Sequence, residues 1–328
     1  MWKIGDIEIT GKVLLAPMAG YTSFGYRKFM EKFGVGVTVT EMVSDMGLLY
    51  GNKETKDYLD FPKTDVPVGV QLFGSDPKNI AKAAEIVVKA VPFLSFIDIN
   101  MGCPVPKVTR NGAGSALLKN PKISGDIIRA VKEVVNVPVT AKIRLGYDEK
   151  NINFLGVISE LEKAGVSMIG IHARTTKQLY YGEPRYELIK DLRKKMSVPL
   201  VVSGNIYTLE DAKKALEITG AEAVMVARGG VGNPTLIRQI NEYYGNGTIV
   251  PDATFDEQVE YCLELARDLI EEKGEERAMR IYRSMAPKFF KGIPEVKKLN
   301  ARLASEMTSY DSLVSIINDY KSRHHDDF

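Results

Sequence analysis

Between Val13 and Ala227 short apolar runs alternate eight times with longer amphipathic ones, and no other feature narrows the possible folds so far. The short runs are Val13–Ala16, Val37–Thr40, Val68–Phe73, Phe96–Asn100, Val139–Ile143, Met168–His172, Leu200–Val202 and Ala223–Ala227. Their length, β-branched content and flanking Gly and Pro mark them as buried strands. Between them, Lys78–Lys89, Ile123–Val135, Phe154–Ala164 and Leu209–Ile218 place apolar residues at helical spacing. Val-Pro introduces three of the strands, at 66–67, 137–138 and 198–199, and proline, lacking an N–H, is tolerated at a strand's first residue. Strands that alternate with helices run parallel, and eight such units predict an α/β fold, the closed (β/α)8 TIM barrel. A doubly wound dinucleotide fold would want G-x-G-x-x-G after the first strand. The chain has Pro17-Met18-Ala19-Gly20 there, and Gly112-Ala113-Gly114 lacks the third glycine.

After Gly245-Asn246-Gly247 and Pro251 the period changes for good. Thr254 and Glu257 have capping-box spacing ahead of Phe255, Val259, Cys262, Leu263, Ala266, Leu269 and Ile270, which makes Cys262 a core residue of a helix. Helices are expected over 275–290, 294–305 and 309–322, so the barrel of residues 1–245 is followed by a small all-α helical domain over 251–328. The 328 residues suit a barrel of about 250 residues plus a small partner domain. Two cysteines in unlike contexts give neither a disulfide framework nor a C-x-x-C pair. The first residues, MWKIGDIEIT, lack the apolar core of a signal peptide, and no apolar run approaches the roughly 18 residues of a membrane span. A cytoplasmic monomer without a membrane partner is expected. Net charge is only +2, but residues 256–276 hold nine acidic against two basic residues, and 277–302 hold eight basic against Glu295 alone.

In a barrel, reacting groups gather where the strands end. The fourth strand runs into Gly102-Cys103-Pro104-Val105-Pro106, so Cys103 lies on a loop at that rim, and Asp98 and Asn100 share a polar face below it. A free cysteine is most often a small buried hydrophobe. Glycine and proline on both sides argue otherwise here, and a thiol with a pKa of about 8.5 could serve as proton donor or as nucleophile. The other strand ends contribute Met18, Glu41, Gln71, Lys142, Arg144, His172, Arg174, Asn205 and Arg228. His172 is the only histidine before the terminal His324-His325-Asp326-Asp327, itself read as a frayed end, so no metal site is expected. Ser203-Gly204-Asn205 and Arg228-Gly229-Gly230-Val231-Gly232-Asn233 follow strands seven and eight, where barrels hold phosphate on backbone N–H groups.

Several segments together resemble the tRNA-dihydrouridine synthases. They are Leu15-Ala16-Pro17-Met18-Ala19-Gly20, Thr40-Glu41-Met42, Val70-Gln71-Leu72-Phe73-Gly74, Ile97–Pro104, Val139–Gly146, Ile171-His172-Ala173-Arg174-Thr175 and Gly232-Asn233-Pro234, in family order across the barrel. The resemblance implies an enzyme in which NADPH (or NADH) reduces FMN. Hydride then passes to C6 of a tRNA uracil while Cys103, the catalytic acid, protonates C5. By position it assigns FMN contacts to Ala16, Pro17, Met18, Gln71, Lys142 and His172, and to Ser203, Gly204, Asn205, Ala227 and Arg228. Asn100 and Arg174 are expected to meet the substrate, and Arg280, Arg283, Lys288 and Lys291 of the basic tail to hold tRNA phosphates. Two segments depart from the family pattern: Ser203-Gly204-Asn205 stands for Asn-Gly-Asp, and Ala227-Arg228 for Gly-Arg. An FMN barrel of the dihydroorotate dehydrogenase type would leave the basic tail without purpose, and a non-catalytic RNA-binding protein would not need the polar rim.

Overall fold

Eight parallel strands close into a barrel in the computed structural model, which describes residues 1–324. A hairpin, β1 (Trp2–Ile4) and β2 (Ile7–Ile9), precedes the barrel strands β3 (Val13–Leu15), β4 (Thr38–Ser44), β5 (Val68–Phe73) and β6 (Phe96–Met101). The barrel continues through β7 (Val139–Arg144), β8 (Ile169–His172), β9 (Leu200–Ser203) and β10 (Ala223–Val226). Hydrogen bonds run in the order β3-β10-β9-β8-β7-β6-β5-β4, and a parallel bridge between Leu14 and Val37 closes the ring. All eight anticipated strands are present within a residue or two, except that β4 runs on to Ser44. A register shift between Val39 and Met42 allows this, and such a bulge re-aims the side chain it carries, here Glu41.

The apolar residues divide into two clusters, as a barrel requires. One fills the shell between strands and helices; the other lies inside the barrel, where Leu14, Val37, Val39, Phe96, Val201 and Ala223 point inward. Trp2, Ile4 and Ile9 of the hairpin belong to the inner cluster, so the hairpin plugs the barrel at the end away from the reactive rim. Gly69 makes room for the ring inside: a Cβ there would stand 2.3 Å from Phe96 Cε2.

Pro77–Ala90, Pro121–Lys132, Phe154–Lys163 and Leu209–Thr219 form the anticipated covering helices. Between β8 and β9 two 3-10 turns, Tyr186–Ile189 and Leu192–Lys195, stand where a helix would be regular. The tail comprises helices Phe255–Lys273, Glu275–Tyr282, Val296–Ser305 and Tyr310–Arg323. The single helix expected over 275–290 is therefore corrected: it ends at Tyr282, and Ala286–Phe289 is a 3-10 turn around Pro287, whose ring and missing N–H cannot extend an α-helix. Cys262 is buried, and the Tyr282 hydroxyl donates to its carbonyl at 2.6 Å. His325, Asp326 and Asp327 of the terminal cluster lie outside the described residues.

The acidic half of the tail faces the barrel. Helix Phe255–Lys273 packs on Phe24–Glu31, where Lys28 meets Glu271 at 2.7 Å and Asp268 at 3.2 Å, and Lys32 meets Glu264. Ser23 gives helix Phe24–Glu31 no side-chain cap. The Glu272 carboxylate serves instead, accepting from Gly25 N at 2.8 Å, Phe24 N at 3.2 Å and Ser23 Oγ at 2.8 Å. Docking thus engages Glu264, Asp268, Glu271 and Glu272 of the acidic stretch. Among the described residues no helix is long and apolar enough to cross a membrane.

Candidate active site

At the C-terminal rim a cavity of about 370 Å³ opens, and its floor is set by the register of three strands. In β5, β6 and β7, Gln71 pairs with Asp98, Asp98 with Thr140, and Asn100 with Lys142. Their side chains form one chain of hydrogen bonds. Thr140 Oγ1 donates to Asp98 Oδ1 at 2.6 Å, Gln71 Nε2 to Asp98 Oδ2 at 2.6 Å, and Asn100 Nδ2 to Gln71 Oε1 at 2.7 Å. Asn100 Oδ1 then accepts from Gly102 N at 3.1 Å and Cys103 N at 2.8 Å. Burial pushes the Asp98 carboxyl up, while the bonds from Thr140 and Gln71 draw it down without cancelling the rise. A buried polar network of this kind holds one geometry only when every member is bonded, as here.

The network ends on the cysteine loop. The Cys103 carbonyl accepts from Ser115 N at 3.0 Å and Ser115 Oγ at 2.9 Å, so the residue is held from both sides. Gly114 permits this approach: its φ is +59°, and a Cβ there would lie 2.8 Å from the Cys103 carbonyl oxygen. Cys103 is half-buried. Burial pushes its thiol up, against smaller lowering effects from the Val105 N–H and from Arg144 and Lys142. Burial of this kind favours the protonated thiol, the form a proton donor needs.

Lys142, His172 and Arg228 supply the opposite character. Burial, then the neighbouring Arg144, lowers the Lys142 ammonium to about 8, and among the described residues no hydrogen bond or ion pair holds it. Gly170 stands beside Lys142 in the ladder. His172 is held well below its ordinary value by burial and then by Arg144, Lys142, Arg174 and Arg228, so the ring is neutral. Arg174 Nη1 stands 3.1 Å from His172 Nε2. A guanidinium can only donate, so Nε2 accepts and the ring proton sits on Nδ1.

Of the residues anticipated from sequence, Ala16, Pro17, Met18, Asn100, Cys103 and Lys142 line the cavity, as do His172, Ser203, Ala227 and Arg228. Gln71, Gly204, Asn205 and Arg174 do not. Gln71 is fully buried in the floor network. Arg174, expected to meet substrate, is 1% exposed and bonds Gly182 O at 2.6 Å and Asn205 Oδ1 at 2.9 Å, so it orders His172 and the loop after β9. Of the tail cations, Arg280 and Lys291 are exposed and, among the described residues, without an ion-pair partner. Arg283 Nε instead donates to Met307 O at 2.8 Å, and Lys288 Nζ to Tyr21 Oη at 3.0 Å.

The sequence matches the family described as "Dihydrouridine synthase (Dus)" over residues 14–319. The chain belongs to the dihydrouridine synthase family. It is 35% identical over 300 residues to tRNA-dihydrouridine synthase B of Pseudomonas aeruginosa, an alignment covering 92% of this chain and 90% of that protein. The same-named protein of Vibrio vulnificus is 37% identical over 281 residues, 86% of this chain and 87% of the relative. A probable tRNA-dihydrouridine synthase of Rickettsia bellii is 31% identical over 326 residues, 97% of this chain and 99% of its own length. Among solved structures, histamine dehydrogenase from Rhizobium sp. 4-9 matches with a TM-score of 0.52 at 14% identity, over 73% of this chain and 47% of that one, a likeness of fold alone.

Family membership makes this chain a flavin-dependent oxidoreductase, and the cavity fits that cofactor class. Its lining carries Lys142, Arg144 and Arg228 but no carboxylate, so it suits an anionic ligand. Two features of this dihydrouridine synthase were not assigned site roles from sequence. Arg144, read only as a rim residue, is 1% exposed and ties the cysteine loop to the loop after β8: Nε donates to Gly102 O at 2.8 Å, and Nη1 to Leu179 O at 2.7 Å. Tyr180 stands between two cations, 5.3 Å from Arg144 and 5.2 Å from Arg228, and lines the cavity. The signal was present in Leu179-Tyr180-Tyr181, three large apolar residues in a polar loop.

Proposed function

We propose that this chain reduces the C5=C6 bond of uridines in tRNA, in the cytoplasm, with FMN bound in the rim cavity and NADPH as the reductant. The observation that carries the reading is one cavity whose lining holds Cys103, its backbone fixed by Asn100, together with Lys142, Arg144 and Arg228 and no carboxylate. When bound, the flavin supplies the hydride that C6 receives. Cys103 supplies the proton to C5, and its thiolate regains a proton from solvent. Asn100 holds the Cys103 backbone, so the donor is positioned by the barrel and not by a mobile loop. Lys142 and Arg228 offer charge to the anionic cofactor; neutral His172 offers an N–H. Ser203, Ala227 and the strand-one turn Ala16-Pro17-Met18 give the cavity its walls, while Gly204, Asn205, Gln71 and Arg174 act from behind them.

A uracil in a folded RNA must leave its stack to enter such a cavity. Arg280 and Lys291, two of the tail's exposed cations, hold the RNA backbone while it does so. The test is direct: unmodified tRNA transcript, NADPH and the purified yellow protein should yield dihydrouridine by mass analysis of digested RNA. Flavin reduction without any change in the RNA would refute the reading.

A further inference from the structure

Tyr21 stands where the barrel's first loop meets the tail. It lines the cavity with Met18 and Ala19 of the same loop. The backbone of that loop is secured from within the barrel: Gly20 N donates to Glu41 Oε2 at 2.7 Å, and Met18 N to Thr22 Oγ1 at 2.8 Å. The Tyr21 side chain is secured from elsewhere. Lys288 Nζ, 267 positions along the chain, donates to its hydroxyl at 3.0 Å and lies 4.6 Å from the ring centroid.

Lys288 is itself placed with little freedom. Its 3-10 turn, Ala286–Phe289, presses on the loop after β10, where a Cβ on Gly232 would fall 2.3 Å from the Lys288 carbonyl and 2.6 Å from Phe289 N. That approach fixes the Lys288 backbone against the loop after β10 while its ammonium reaches the loop after β3, the neighbouring strand of the barrel. Burial raises the Tyr21 hydroxyl, but the polar groups of the tail beside it, the Lys288 ammonium above all, outweigh it and leave the group below its ordinary value. The Lys288 ammonium commits one of its three N–H donors to the hydroxyl, which ties its place to that of the tyrosine ring.

We infer that Lys288 is a positioning residue for the cavity, acting through Tyr21, and not a phosphate clamp: the tail sets the part of the cavity wall that Tyr21 forms through this pair. The inference rests on the uridine-reduction reading, and it separates two kinds of tail cation that sequence grouped together.

The experiment compares Lys288→Met, Lys288→Arg, Tyr21→Phe and the Lys288→Met/Tyr21→Phe double variant in the flavin-loaded full chain. Lys288→Met and Tyr21→Phe should each lower kcat on tRNA about tenfold with KM within about twofold of wild type, because placement suffers and binding does not. The double variant should be no slower than either single one, since both remove the same hydrogen bond, and Lys288→Arg should restore most of the rate. A rise in KM for Lys288→Met with a salt slope flattened by roughly 0.7 to 0.9, and a silent Tyr21→Phe, would make Lys288 a phosphate clamp and overturn the inference. The flavin absorption band, read without RNA, should shift alike in both single variants. An unchanged band in both overturns the inference whatever the protein does to RNA, whereas shifted bands in a protein whose wild type leaves tRNA unreduced would refute the function and leave the pair standing.

Discussion

Lys142→Met should make the flavin-free protein more stable while crippling the enzyme. Burial lowers the Lys142 ammonium from 10.5 to about 8, so the fold disfavours its charged form. At about 1.4 kcal/mol per unit, that penalty is about 3 kcal/mol at neutral pH. The sign follows from the group being a base with a depressed folded value. The penalty is full below about 8, shrinks as pH rises from there, and is gone above the unfolded value of 10.5. Methionine keeps most of the side chain's apolar length beside Gly170 and removes the charge. Thermal unfolding of the flavin-free variant at neutral pH should therefore occur several degrees above wild type, by about 2 °C or more per kcal/mol, and the gap should close near pH 10. With flavin present the cation is an asset, and its loss should weaken cofactor binding and cut turnover by on the order of a hundredfold. A flavin-free variant less stable than wild type at neutral pH, or a gap that ignores pH, would refute the assignment of Lys142 as a buried cation awaiting an anion.

Replacing Arg280 and Lys291 together with Gln should raise KM for tRNA and flatten its salt dependence by roughly 0.7 to 0.9 for each phosphate left unneutralised, with flavin content unchanged in absorbance. Arg283→Gln should instead appear in denaturant unfolding, a loss of about 1 to 2 kcal/mol, because its partner is the Met307 carbonyl. Glu272→Ala removes the acceptor that caps helix Phe24–Glu31 and should cost about 1 to 2 kcal/mol in the same assay. Because burial raises the Cys103 thiol, the proton-transfer rate should stay level through neutral pH and fall only above the ordinary thiol range, as a stopped-flow pH profile would show.

The strands were legible because each is a short apolar run that begins or ends on proline, glycine or a charge, as Val66-Pro67 and Gly102 do. The rim was legible because a polar residue at a buried strand's end has few reasons to be there, and Asn100, Lys142 and His172 all meet in one cavity. The hairpin was not read, although Trp2-Lys3-Ile4 and Ile7-Glu8-Ile9 alternate on either side of Gly5-Asp6, a period-two pattern too brief to stand out. What periodicity could not carry was pairing across the chain. Glu272 caps a helix 248 residues earlier, and Lys288 bonds Tyr21 across 267. Charge counting saw one basic stretch of the tail; within it the structure separates exposed Arg280 and Lys291 from engaged Arg283 and Lys288, while Lys298 and Arg302 pair with Glu295 and Glu306. The split of the helix at Pro287 was signalled by the proline itself and overridden by the apolar period around it.

The central claim is that Cys103 delivers a proton to uridine in a cavity built for flavin, and anaerobic rapid mixing tests it most directly. Protein reduced with NADPH is mixed with tRNA, and flavin reoxidation is followed beside dihydrouridine formation. Wild type should reoxidise in step with the appearance of dihydrouridine, while Cys103→Ala should be reduced by NADPH at the wild-type rate and then remain reduced when tRNA is added. Reoxidation of Cys103→Ala by tRNA at the wild-type rate, or of wild type by orotate in preference to tRNA, would contradict it.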